Sequence, residues 1–286
     1  MARKRRPSRP RALASARAWD LVMKNDSLKK AKKISFGKRL RSCPNFSCLG
    51  VNPNWEDYPA EAQARICAAD RVYYPTSLYE TALLSLGKSV FPHSYYGFLG
   101  NKIQQSNLFQ LLNISHPKTR IYRGKNRRAR VLEDFSMPFV AKTPVGSSQG
   151  RGVFLIEDES ALDTYLQDHP VAYIQEYLPI DRDLRIVLIA GRVVHAYWRL
   201  QHSKDFRNNV SQGATISFDD IPEEALQFAE DVARRCRFDD VGLDVCHARG
   251  RCWVIEANMA YGLEGFRQAG LNLQQIFARL DEDGFL

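Results

Sequence analysis

From Phe46 onward, apolar and polar positions alternate in short blocks whose order differs between the two halves of the chain. In the first half the pattern predicts a strand at 48–51, a helix over 60–69, a strand at 71–74, a second helix over 78–86 and a strand at 89–91. Ser77 is the expected cap of that second helix and Gly87 its stop. This βαβαβ order predicts a small parallel sheet. A helix over 102–112 follows, and Pro117 marks the next boundary.

The second half reads as hairpins with interleaved helices. Strands are predicted at 139–142 and 153–156, joined by the loop 143–152, then a helix over 160–167 and a strand at 171–177. Strands at 184–189 and 193–199 form a hairpin around Gly191. Pro222 starts a helix to about residue 235, with Glu223 and Glu224 in its first turn where the helix dipole favours acids. Two last strands, 242–246 and 252–257, flank a turn at Arg249–Gly250–Arg251. The combined pattern predicts an α+β fold.

The final hairpin carries the sharpest chemical signal. If Arg249–Gly250–Arg251 form a three-residue loop, outward counting places Glu256 opposite Asp244, with Asn258 on the same face. Facing carboxylates repel, so a cation is expected between them. An all-oxygen Asp/Glu/Asn set suits Mg²⁺ rather than zinc. The alternative is an Arg or Lys counter-ion on a solvated face.

Upstream, the loop Gly146-Ser147-Ser148-Gln149-Gly150-Arg151-Gly152 joins two strands and lacks the Gly-Lys-Ser/Thr ending of a P-loop. Its backbone N–H groups suit phosphate, and Lys142 stands just before it as a point charge. An exposed hairpin loop has the same composition. The strand Tyr173-Ile174-Gln175-Glu176-Tyr177-Leu178-Pro179 ends at a proline, leaving backbone groups for an adenine edge or for solvent.

Composition narrows the class. The chain has 286 residues, 44% of them hydrophobic and 26% charged, ordinary values for a globular protein of one large or two modest domains. No apolar run approaches the ~18 residues that span a bilayer, so no membrane association is expected and the default compartment is the cytoplasm. Charge is uneven: residues 1–42 hold 15 Lys or Arg against two acids, a net of +13, leaving residues 43–286 at −4 within the chain's total of +9. Residues 1–42 are therefore expected to form a disordered basic arm able to touch nucleic acid or an acidic partner. The arm's Arg-rich opening is also similar to organellar transit peptides. Six cysteines form no CxxC pair, and Cys43 with Cys48 has no further ligand at zinc-finger spacing. The six histidines show no catalytic spacing, and no Ser lies in a nucleophile-elbow context.

The segments "FVAKTPVGSSQGRGV", "YIQEYLPIDRDLRIVLIAGRVVHAYWR", "DFRNNVSQGA", "VGLDV" and "WVIEANMAYGLEGF" together resemble the ATP-grasp ligases, in particular RimK-type glutamate ligases, over residues 99–281. The resemblance implies an ATP-grasp fold, two α+β subdomains clasping ATP, at 102–286, preceded by a small α/β domain at 43–101. It implies that Lys102 and Lys142 hold the phosphates, that Glu176 and Tyr177 line the adenine and that Asp183 meets the ribose, with Gly146, Ser147, Gly150, Gln175 and Leu178 also in the nucleotide site. Arg207 with Asn209 would reach the transferring phosphate, and Asn208 would belong to the nucleotide site. Asp244, Glu256 and Asn258 would ligate Mg²⁺, with Mn²⁺ as an alternative. Arg207, Arg185 and Arg199 are the candidate catalytic residues, Arg199 as anchor of a substrate carboxylate. Arg199 reaches the face of Asp183 and Arg185 if Ala190–Gly191–Arg192 is a three-residue loop, and points away if the turn has two residues. Tyr197 and Trp198 are expected to pack.

The implied reaction joins a small-molecule or peptide carboxylate to an amine through an acyl phosphate, as in glutamate addition. The glycine loop is one residue longer than in close relatives, and the amino-terminal sheet is shorter. The competing reading is a catalytically silent nucleotide-binding module whose basic arm contacts RNA or an acidic partner.

Overall fold

The computed structural model describes residues 32–146, 152–200 and 215–286. The chain divides into two compact units, residues 1–91 and 92–286.

Within the first unit, strands β1 (Lys33–Ser35), β2 (Phe46–Cys48), β3 (Arg71–Tyr73) and β4 (Ser89–Phe91) form one parallel sheet in the order β2-β1-β3-β4. Helices α1 (Ala60–Ala68) and α2 (Thr76–Ser85) are the crossovers. The parallel sheet expected from the βαβαβ order is present, with one more strand than the sequence pattern indicates. That strand lies inside the segment read as a disordered arm to residue 42. Ile34, Phe36 and Leu40 are buried among the surrounding lysines and arginines, so the segment is structured from Lys33 onward. Residues 1–31 lie outside the described residues. Helix α2 begins one residue before Ser77, with Pro75 at its cap position and no capping side-chain bond. Gly87, at φ +75°, ends it as expected.

The second unit opens with α3 (Lys102–Leu111), capped by Asn101, whose side chain accepts from Gln104 N at 3.1 Å. Strands β5 (Thr119–Tyr122), β6 (Phe139–Lys142), β7 (Val153–Ile156) and β8 (Ala172–Glu176) make an antiparallel sheet ordered β5-β8-β6-β7. Helices α4 (Arg127–Asp134) and α5 (Glu159–Asp168) bury Val131, Leu162 and Tyr165 with Tyr122, Phe139, Ile156 and Ile174.

The second sheet of this unit is β11-β10-β9-β12-β13, built from β9 (Arg182–Ile189), β10 (Arg192–Leu200), β11 (Thr215–Ser217), β12 (Asp240–Ala248) and β13 (Arg251–Asn258), all antiparallel. Helix α6 (Glu223–Cys236) covers one face, where Leu184, Ile186 and Leu188 of β9 meet Val241, Leu243 and Val245 of β12. Strict alternation then sends Asp183 and Arg185 of β9, and Asp244 of β12, to the opposite face. Two short helices, α7 (Glu264–Gln268) and α8 (Leu273–Glu282), close the chain. Among the described residues no helix is long and apolar enough to cross a membrane.

Candidate active site

Both hairpins of the second sheet turn on two residues, not three. Ile189 pairs with Arg192 around Ala190–Gly191, and Ala248 pairs with Arg251 around Arg249–Gly250. All four turn residues have positive φ, the requirement of a tight type I′ turn. Each hairpin then carries a bulge. Val194 is the extra residue in β10 and Ile255 in β13, so pairing resumes at His195–Val187 and at Glu256–Asp244. The bulge in β13 supplies the one-residue shift that a three-residue loop was expected to supply. Glu256 therefore stands opposite Asp244 as anticipated, by a different route. For Arg199 the expectation is corrected: the turn has two residues, yet the Val194 bulge places Arg199 directly across from Asp183.

The outcome is a charged face of adjacent strands. The Arg185 guanidinium grips Asp244 with Nε on one carboxylate oxygen and its terminal nitrogen at 3.2 Å from the other. Arg199 bridges two strands, with Nε 2.6 Å from Asp183 and a terminal nitrogen 2.9 Å from Asp244. Asn258 Nδ2 donates to Asp244 at 3.2 Å. Lys102, at the first turn of α3, reaches Glu256 at 3.3 Å. The counter-ions foreseen as the alternative to a metal are thus Arg185, Arg199 and Lys102.

Burial sets the electrostatics. It pushes the Asp183 carboxyl above its ordinary range, and Arg199 offsets this only in part. Asp244 is equally withdrawn from water, but two guanidiniums outweigh the penalty and hold it below the ordinary range. Lys142 projects from β6 into the same field, and burial lowers its pKa despite the attraction of Glu256, Asp244 and Asp183. Its ammonium makes no ion pair or hydrogen bond among the described residues. Lys102, Lys142, Arg185 and Arg199 against Asp183, Asp244 and Glu256 leave a net charge of +1, an environment suited to a polyanion.

A divalent cation fits the donors present. Among the described residues no group of three or more His, Cys, Asp or Glu side chains is placed to hold a metal. The set is instead two facing carboxylates and the Asn258 amide, and Mg²⁺ characteristically completes such sites with phosphate oxygens and water.

Other predicted residues distribute as follows. Leu178 belongs to an apolar patch with Cys246 and Trp253, continuous with the charged face through Cys246, two residues from Asp244 on β12. Glu176 closes β8, and its carboxylate meets Arg249 at 2.5 Å and Lys118 N at 3.3 Å. Gln175 is turned inward, donating to Thr119 Oγ1 at 3.0 Å, so its side chain joins strands and does not reach the charged cluster. Tyr177 is half-buried at the exit of β8. Gly146 has φ +77° and donates its N–H to Gly100 O at 3.1 Å. Ser147, Gly150, Arg207, Asn208 and Asn209 lie outside the described residues.

Tyr197 packs as expected, buried with its ring beside His195, and does so on the charged face opposite Arg185. Its ring lies so close to Gly265 that a Cβ there would be 2.2 Å from it. Strand parity corrected for the bulge would have revealed this, but a bulge leaves no compositional trace.

A family model described as the RimK-like ATP-grasp domain matches residues 100–280. The ribosomal protein bS6–L-glutamate ligase of Escherichia fergusonii is 29% identical over 175 residues, 59% of this chain and 58% of that protein. The coenzyme gamma-F420-2:alpha-L-glutamate ligase of Methanocaldococcus jannaschii is 29% identical over 174 residues, 58% of this chain and 59% of that one. The chain thus spans under two-thirds of the length of these curated relatives. A RimK-domain ATP-grasp protein from Sphaerobacter thermophilus superposes with a TM-score of 0.62 at 14% identity, covering 87% of this chain and 98% of that one, which establishes a common fold.

Proposed function

This chain belongs to the RimK-like ATP-grasp family, and from that premise we propose that it is an ADP-forming carboxylate–amine ligase. ATP binding and use of a divalent metal are general to the family. The observation that carries the reading is the bulge-built face on which Asp183, Arg185, Arg199, Asp244, Glu256 and Asn258 converge beside Lys102 and Lys142.

In this proposal Lys102 and Lys142 hold the nucleotide phosphates, and the Leu178–Cys246–Trp253 patch meets the adenine. Asp244, Glu256 and Asn258 would hold Mg²⁺, which would neutralise charge on the phosphate oxygens. The acceptor carboxylate attacks the γ-phosphate, ADP leaves, and an acyl phosphate remains. An amine then attacks the acyl carbon and inorganic phosphate departs, forming the amide. Arg199 and Arg185, fixed by their own ion pairs, present guanidinium edges to the reacting carboxylate. Both steps place negative charge on oxygen, so the chemistry calls for fixed cations and no protein nucleophile. In keeping with this, Cys246 beside Asp244 has its thiol pushed up to about 12 by burial and is not a thiolate at neutral pH. The curated relatives above act on glutamate, which makes glutamate the first amine to test, with peptide and small-molecule acids as acceptors.

The experiment is a screen of carboxylate and amine pairs for release of ADP and phosphate. An acceptor carrying ¹⁸O in its carboxylate should deliver one labelled oxygen to the released phosphate. Release of AMP and pyrophosphate, or retention of all label in the product, would exclude the acyl-phosphate route.

A further inference from the structure

Among the described residues, strand β13 is the outer strand of its sheet, and half of its backbone groups face no neighbouring strand. Two residues from outside the sheet take that place. Near the turn, Ser115 O accepts from Val254 N at 2.9 Å and Ser115 Oγ donates to Cys252 O at 2.9 Å. At the other end, Gln105 of α3 donates Nε2 to Ala257 O at 2.7 Å and accepts at Oε1 from Ala257 N at 3.2 Å. The same Nε2 also donates to Phe98 O at 2.9 Å. One buried amide thus answers both backbone groups of a single residue, as a neighbouring strand would.

That residue lies between Glu256 and Asn258. Outward-facing backbone groups in a regular strand recur every second residue, yet here they pass from Val254 to Ala257. The bulge at Ile255 accounts for the odd step. The shift that turns Glu256 toward Asp244 also turns the peptide groups of Ala257 outward to Gln105. Lys102, three residues earlier on α3, touches Glu256 itself. One helical turn therefore grips two successive residues of the strand.

We propose that Gln105 is a positioning residue that sets where Glu256 and Asn258 present their oxygens, so that metal affinity depends on an amide that never touches the metal. This rests on the metal assignment made above. Outer-shell contacts of this kind typically govern metal affinity by 10–100-fold.

The test is Mn²⁺ titration, followed by electron paramagnetic resonance, of the full chain bound to a non-hydrolysable ATP analogue. Gln105→Met keeps the length of the side chain and removes its donors and acceptor. It should raise the half-saturating Mn²⁺ concentration by at least about tenfold, with analogue binding in EDTA unchanged. Ser115→Ala deletes a bond to the same strand edge remote from the ligands and should leave Mn²⁺ binding as in the wild type. An equal shift in both variants would reduce Gln105 to a stabilising contact and overturn the proposal, as would wild-type affinity in Gln105→Met. If that variant does not fold, Gln105→Ala, which admits water to the strand edge, replaces it under the same criteria. Glu256→Gln separates the two readings: unchanged Mn²⁺ binding there refutes the metal assignment itself, whatever Gln105 does.

Discussion

Asp244 and Glu256 face each other across β12 and β13, yet they answer to different cations. Asp244 is held by two guanidiniums in a nearly dry setting, whereas Glu256, more open to solvent, meets among the described residues the Lys102 ammonium at 3.3 Å. A forked pair is rigid and an ammonium is a movable point charge. If Glu256 is a metal ligand, as proposed above, a divalent ion would compete there with the Lys102 ammonium, whereas at Asp244 it would meet the paired guanidiniums of Arg185 and Arg199.

That frame should be costly to break. Arg199→Met leaves Asp183 buried without its principal partner and should destabilise the protein by about 3–5 kcal/mol. Urea unfolding of the single variant and of Arg199→Met/Asp183→Leu checks this. The double variant should recover much of the loss, because it removes the orphaned charge as well.

Lys142 should impose a pH dependence of opposite sign on binding and on stability. Its pKa is lowered in the folded protein, chiefly by burial, so between that value and the unfolded value near ~10.4 the unfolded chain binds more protons. Stability should therefore rise with pH across that window, while affinity for a nucleotide triphosphate falls as the ammonium is lost. Calorimetry in buffers of different ionisation enthalpy should show proton uptake on nucleotide binding there, and Lys142→Met should abolish it.

Gly265 is a packing requirement and not a flexible joint. Its Cβ would meet the Tyr197 ring at 2.2 Å, so Gly265→Ala should push Tyr197 off the charged face at a cost of about 1–3 kcal/mol. Combining it with Tyr197→Leu should restore thermal stability, as measured by calorimetry of the single and double variants.

Arg207, placed near the transferring phosphate by family resemblance, should act on rate more than on binding. Arg207→Ala is expected to lower kcat by about 10²–10³ with little change in nucleotide Kd, since a fixed cation stabilises developing charge more than the ground state. Steady-state kinetics beside equilibrium nucleotide binding distinguishes the two effects.

Much of this architecture was legible in the sequence where period and punctuation agree. Strands β6, β7, β9, β10, β12 and β13 and helices α1, α3, α5 and α6 lie within two residues or so of their apolar patterns. Strand β1 was hidden because Ile34 and Phe36 are embedded in dense positive charge, and composition outvoted a three-residue period. The segment from Thr119 to Asp134 was missed for the same reason: arginines at 120, 123, 127, 128 and 130 obscure β5 and α4. At the site, residue types identified the chemistry, but which side each residue faces depended on two unpaired residues. Asp244 and Glu256 were placed correctly only because an overcounted turn and an uncounted bulge cancel. For Arg199 the bulge at Val194 restores the face that a two-residue turn alone would deny it.

Val194 and Ile255 thus work as frameshifts within a strand. Up to each of them the chain reads in one phase, and beyond it every side chain changes sides. Exchanging either for another residue of similar bulk keeps the phase, whereas deleting it would turn Arg199, or Glu256 and Asn258, toward the α6 side of the sheet and bring apolar neighbours out in their place. A one-residue deletion there should therefore do more damage than any single substitution of the charged residues themselves, because it inverts the site and the core in one step.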